Sequence, residues 1–117
     1  MKGTLVILGT DGTIDRREVE NPDNLFRTLQ NEVGGYIEMV PYWKTYRDQG
    51  ERKPCVAVCN EEGKLNGLPP NPLATALWHV ALKEQMNIDL PKFAGDLDHL
   101  VGQIVVVMGD EEFMEEL

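Results

Sequence analysis

The chain has 117 residues, 42% of them hydrophobic and 26% charged, and its 11 Lys and Arg against 20 Asp and Glu leave a net charge of −9. That length implies one domain, and that apolar content is globular rather than disordered. No apolar run reaches the roughly 18–20 residues needed to cross a bilayer, and the acidic balance argues against gripping nucleic-acid backbones, a task for Lys and Arg.

The opening Met1-Lys2-Gly3-Thr4 has no apolar secretory stretch, so a cytoplasmic protein is expected. Leu5-Val6-Ile7-Leu8, closed by Gly9, reads as a buried central strand. Asp11-Gly12 supplies a turn, and the polar segment Thr13 to Val19 returns as an edge strand. Such an edge could also pair across a dimer axis, which leaves a homo-oligomer open. Asn21-Pro22 is expected to open a first helix, with Leu25, Leu29 and Val33 in one row, Phe26 beside them, and Gly34-Gly35 as the stop.

Tyr36 to Tyr42 reads as a third strand, with Tyr36, Glu38 and Val40 on one face and Ile37 and Met39 on the other. Trp43 to Lys53 is polar and is expected to be an exposed loop. Pro54 to Asn60 is a fourth strand, followed by a hairpin turn Asn60-Glu61-Glu62-Gly63 and a short fifth strand Lys64 to Leu68. Gly63 is the residue there expected to need positive φ. Pro69-Pro70 ends the ladder, and Asn71-Pro72 starts a second helix to about Gln85, with Leu73, Leu77 and Ala81 in one row and Ala74, Trp78 and Leu82 alongside. Residues 86–100 read as a mixed loop, and Val101 to Met108 as a last strand in which Ile104-Val105-Val106-Val107 is buried on both faces.

The order β-β-α-β-β-β-α-β implies an α+β fold: one mixed sheet of about five to six strands with two helices packed on it, over residues 1–109. Residues 110–117 form an acidic tail. Asp110, Glu111, Glu112, Glu115 and Glu116 carry five of the nine net negative charges and leave −4 for the body.

Much chemistry is excluded. The chain has no serine, no phosphate-binding loop and no pairing of a nucleophile with a base. Cys55 and Cys59 would sit about 13 Å apart on one straight strand, at roughly 3.3 Å per residue, too far for a disulfide. His79 and His99 do not stand at zinc-type spacing to the cysteines, so neither a metal nor a cofactor is expected. A non-enzymatic protein is the expectation.

The candidate surface runs from Asn60 to Thr75, where a hairpin meets a helix start. Asn60, Glu61, Lys64, Asn66, Asn71 and Thr75 are the candidate ligand-binding residues, because amides and helix-start donors suit an anion or carbonyl oxygen. Arg52 and Lys53 are expected to join them against a phosphate. Each of these residues also has a local structural job in caps and turns.

Four stretches carry a family resemblance: Gly35-Tyr36-Ile37-Glu38-Met39-Val40; Asn60-Glu61-Glu62-Gly63-Lys64-Leu65; Leu68-Pro69 with Asn71-Pro72-Leu73-Ala74-Thr75; and Leu100-Val101-Gly102-Gln103-Ile104-Val105-Val106. Together they resemble domain-of-unknown-function family 3846, small proteins of bacteriophages, plasmids and bacteria. The resemblance implies a mobile-element setting and a cytoplasmic location, and it supplies no activity and no catalytic residues. Two functions are then expected to compete. One is sequestration of a small ligand, such as a nucleotide-type host immune signal, to counter host defence. The other is inhibition of a host protein, with Asp110, Glu111, Glu112, Glu115 and Glu116 as the partner-binding residues, acting as a nucleic-acid mimic.

Overall fold

The computed structural model describes residues 1–86 and 99–117, so most of the loop read over 86–100 lies outside the described residues. The fold is α+β. Strands β1 (Lys2–Leu8), β2 (Ile14–Glu20), β3 (Ile37–Met39), β6 (Val56–Asn60) and β7 (Ile104–Gly109) form one sheet in the order β2-β1-β7-β6-β3. Strands β4 (Thr45–Asp48) and β5 (Glu51–Pro54) form a separate hairpin. Among the described residues the helices are α1 (Leu25–Val33), α2 (Pro72–Met86) and the short α3 (Glu111–Met114).

The sheet is antiparallel in every pairing, not mixed. The reason lies at one end of it. Asn71, which opens α2, donates through Nδ2 to Leu8 O at 2.9 Å and to Gly102 O at 2.8 Å. The chain therefore enters α2 at the end where β1 finishes and β7 starts. Since β6 also finishes there, opposite the start of β7, the two strands run in opposite directions.

Each face of the sheet carries its own core. Alternation sends Val6, Leu8, Ala57, Ile104 and Val106 towards α2, where Ala74, Trp78, Ala81 and Leu82 meet them. The other set, Leu5, Ile7, Val58, Val105 and Val107, packs on Leu25, Leu29 and Val33 of α1 and on Phe113 of α3. β7 is covered on both sides, as its unbroken apolar run implies. Burying each such side chain contributes roughly 1.5–3 kcal/mol, so Leu29→Ala at the centre of α1 would loosen that helix most.

Several boundaries differ from the sequence reading. Asn24, not Asn21, caps α1, its Oδ1 accepting from Arg27 N at 3.0 Å. Asn21 instead closes the β1–β2 hairpin, donating to Met1 O at 2.8 Å in a left-handed conformation (φ 42°). Gly34 ends α1 as expected (φ 80°). Phe26, placed on the apolar side, is half exposed.

Residues 43–53 are not an exposed loop. They hold β4, the two-residue turn Gln49-Gly50 and most of β5, and Trp43 is buried. Both turn residues have positive φ, the geometry that matches strand twist in tight hairpins. The hairpin was hidden because its inward positions are polar. Asp48 points inward and is satisfied by Arg16 of β2 (Nε–Oδ1 2.9 Å, Nη2–Oδ2 3.1 Å) and by Lys53 (3.0 Å).

Lys64 to Leu68 is not a strand. Its amides are spent locally: Asn66 N donates to Glu62 O at 2.8 Å, Gly67 N to Lys64 O at 3.1 Å and Leu68 N to Gly63 O at 2.9 Å. Gly67 takes the positive φ (69°) that was assigned to Gly63. Gly63 is needed for space, since a Cβ there would stand 3.0 Å from Val101. The acidic residues 110–117 form α3 and its flanks, held on the sheet by the fully buried Phe113.

Candidate functional site

A cleft of about 440 Å3 opens where the β3–β6 edge, the turn after β6 and α2 converge. Its position follows from one pairing. β3 joins β6 with Glu38 opposite Cys59, and the chain leaves β6 through Asn60 into the compact turn 61–67. Met39, Val40, Pro41, Leu65, Leu100 and Val101 line it with Trp78. The indole Nε1 of Trp78 donates to Pro41 O at 2.9 Å, which fixes the ring in place. Glu38, Cys59, Asn60, Glu61, Lys64 and His99 supply the polar groups. Such a mixture, apolar walls with a few converging polar groups, is typical of small-molecule sites.

Of the six residues singled out in the sequence, the structure brings together Asn60, Glu61 and Lys64 at this cleft. The other three stand elsewhere. Asn66 is exposed in the turn and does not line the cleft. Asn71 is fully buried, and besides its two donated bonds its Oδ1 accepts from Ala74 N at 3.0 Å. The Thr75 hydroxyl donates to Asn71 O at 2.8 Å and accepts from Leu100 N at 2.9 Å. These bonds weld the start of α2 to the sheet, and the amides of Ala74 and Thr75 are committed to Asn71. Asn60 is itself partly committed: Oδ1 accepts from Glu62 N at 2.8 Å, and Nδ2 donates to Val33 O at 3.1 Å.

Glu38, Met39, Trp78 and His99 were not legible as site residues. They come from separated segments, and only the β3–β6 pairing and the packing of α2 assemble them. Burial pushes the Cys59 thiol up to about 11, with Glu38 acting in the same sense and Lys64 against it. At neutral pH Cys59 is therefore a protonated wall group rather than a thiolate. It donates to Glu38 O at 3.5 Å. Cys55, deeper in the same core, is pushed to about 12 by burial.

The basic residues expected to act together are separated. Lys53 is bound to Asp48, Arg52 lies beside α2, and Lys64 lines the main cleft. The acidic segment is divided too. Asp110 caps α3, its Oδ1 accepting from Phe113 N at 2.9 Å and its Oδ2 from Lys2 N at 2.8 Å. The Phe113 and Lys2 amides, in that order, hold its carboxyl below the ordinary range. Glu111, Glu112, Glu115 and Glu116 remain exposed.

Among the described residues no group of three or more His, Cys, Asp or Glu could hold a metal ion, and no helix is long and apolar enough to cross a membrane. One family profile, described as a domain of unknown function (DUF3846), matches residues 1–116. No curated protein and no solved structure matches the chain.

Proposed function

We propose that this chain, which belongs to the DUF3846 family through a match over residues 1–116, is a non-enzymatic protein that binds and sequesters a small ligand in the cleft beside Trp78. The observation that carries this reading is the convergence of Glu38, Glu61, Lys64 and His99 over apolar walls. The charges limit the ligand. Two carboxylates against one ammonium disfavour a polyanion, whereas a planar body with polar edges and at most one or two phosphodiester charges suits the walls. The mobile-element setting implied by the family resemblance makes a host-made signalling nucleotide the first class to try, met in the cytoplasm as part of counter-defence.

Calorimetry against cyclic dinucleotides, cyclic mononucleotides and nucleoside triphosphates tests this. Saturable binding of a cyclic species, weakened at least about tenfold in Lys64→Ala and in Glu61→Gln, is the expected result. Binding of none of the panel, or binding untouched by both substitutions, would remove the reading.

A second reading rests on α3. Glu111 and Glu112 on α3, and Glu115 and Glu116 just after it, are exposed around the buried anchor Phe113, an arrangement able to meet a basic patch on a host protein. Capture of one specific host protein by the native chain, lost when all four are changed to Gln, would favour this reading over the first.

A further inference from the structure

The β4–β5 hairpin sets two arginines against each other. Its turn has two residues, so Asp48 and Glu51 flank it as a hydrogen-bonded pair and Arg47 and Arg52 follow as the next, non-hydrogen-bonded pair. Pro54, which has no amide to donate, stands opposite Thr45 at the next pair of the same kind, in agreement with that alternation. Non-hydrogen-bonded partners have the closest side chains in a sheet, with Cα atoms about 4.5 Å apart. Like charges directly opposed at that spacing are unfavourable.

The molecule clamps its other hairpin-facing arginine but neutralises this pair only in part. Arg16 is clamped on Asp48. Arg47, by contrast, makes no ion pair or hydrogen bond among the described residues. Arg52 has only a 3.5 Å contact with the half-exposed Glu84 and a 3.4 Å bond to Thr45 Oγ1. Both arginines line a cleft of about 230 Å3 between the hairpin and α2, walled by Leu77, Val80 and Ala81. It shares no lining residue with the cleft beside Trp78.

We infer that Arg47 and Arg52 form a second, separate site for the phosphoryl group of a small phosphate monoester whose apolar body lies on Leu77 and Val80. Two guanidinium forks present more donors than one carboxylate can accept. A dianionic phosphate monoester matches both the charge and the donor count, and its three terminal oxygens can be shared between the forks. Binding relieves the cross-strand repulsion and displaces the weak Glu84 contact. Half-exposed Val80 (51% accessible) offers apolar surface for the remainder of the ligand.

The test uses inorganic phosphate and phenyl phosphate as probes at constant ionic strength, with binding followed by calorimetry and thermal unfolding. Phenyl phosphate is expected to bind saturably and more tightly than inorganic phosphate. Arg47→Gln and Arg52→Gln should each weaken both probes at least about tenfold. Without probe, Arg47→Gln is expected to melt no lower than the native chain, because it removes a repulsion. The inference would be overturned by no saturable binding of either probe, by equal binding of the native and Arg47→Gln chains, or by a lowered melting temperature of unliganded Arg47→Gln. Lys64→Ala is expected to leave phosphate binding intact. Loss of phosphate binding in Lys64→Ala alone would assign it to the cleft beside Trp78 and would also remove this site.

Discussion

Gly3 of β1 and Gly109 of β7 are cross-strand partners, and the ring of Phe113 lies over both. A Cβ at either position would run into that ring, and at Gly109 it would also stand 2.8 Å from Lys2 O. The pair of glycines makes a slot in the sheet surface that only an aromatic side chain from α3 fills. It joins the first strand to the most acidic part of the chain.

Gly3→Ala should therefore destabilise the fold by about 1–3 kcal/mol through overpacking, and Phe113→Ala by about 3–5 kcal/mol through a cavity. The two effects are not additive. With Phe113 already removed, the added methyl of Gly3→Ala meets open space and costs little, so a double-mutant cycle read by urea unfolding should show a coupling of at least about 1 kcal/mol. Strict additivity would count against the slot.

Charge and structure in residues 110–117 are separable. Replacing Glu111, Glu112, Glu115 and Glu116 together by Gln keeps Phe113 and the Asp110 cap, and the melting temperature should stay within about 5 °C of the native value. Truncation after Gly109 removes Phe113 and should lower it by about 15 °C or more. A truncated chain as stable as the native one would show that the segment is a free appendage.

Acid sensitivity should centre on Asp48. Arg16 first, then Lys53, holds its carboxyl below the ordinary range against the opposing effect of burial. The folded state thus binds fewer protons than the unfolded state. The stability Asp48 contributes is complete above the unfolded value of about 3.9 and is lost as pH falls through the lower folded value. Asp48→Asn should be about 2–3 kcal/mol less stable at pH 7, and the deficit should shrink as pH falls from about 4 to 2. Denaturant unfolding across that range checks this, and a deficit constant with pH would contradict it.

Cysteine labelling should report on the main cleft. With thiols pushed to about 11 for Cys59 and about 12 for Cys55, both should react with iodoacetamide at pH 8 much more slowly than an exposed thiol. Cys59 lines the cleft and Cys55 does not. A ligand held beside Trp78 should slow labelling of Cys59 alone, as read by peptide mass spectrometry. Equal protection of both cysteines would indicate a general tightening of the fold instead of occupancy.

Local chemistry made much of this protein legible in advance. Leu5-Val6-Ile7-Leu8 and Ile104 to Val107 are apolar on successive residues, a pattern that survives only between two covered faces, and both became central strands. Charge on Thr13 to Val19 marked an edge, Asn71 marked a helix start, and Gly34 marked a helix end, because each depends on neighbours along the chain. The hairpin at 45–54 is not legible in the sequence because its inward residue, Asp48, is acceptable only with Arg16 beside it, 32 residues away. The supposed strand after Gly63 failed for the opposite reason: its amides found carbonyls three to five residues back before any strand could claim them.

The candidate site divides along the same line. Asn60, Glu61 and Lys64 are close in sequence and could be grouped by reading alone, whereas Glu38, Trp78 and His99 reach them only through the β3–β6 register and the packing of α2. Asn71 and Thr75 looked equally available until the fold enclosed them, and their polar atoms now serve Leu8, Gly102, Ala74 and Leu100. The sequence by itself determined the α+β class, the two central strands and the concentration of charge in residues 110–117, since periodicity and charge are properties of neighbours. Only the tertiary structure decided that this charge surrounds a short helix anchored by Phe113, that Arg47 faces Arg52, and which polar side chains remain at a cleft, because burial and pairing depend on residues that meet in space alone.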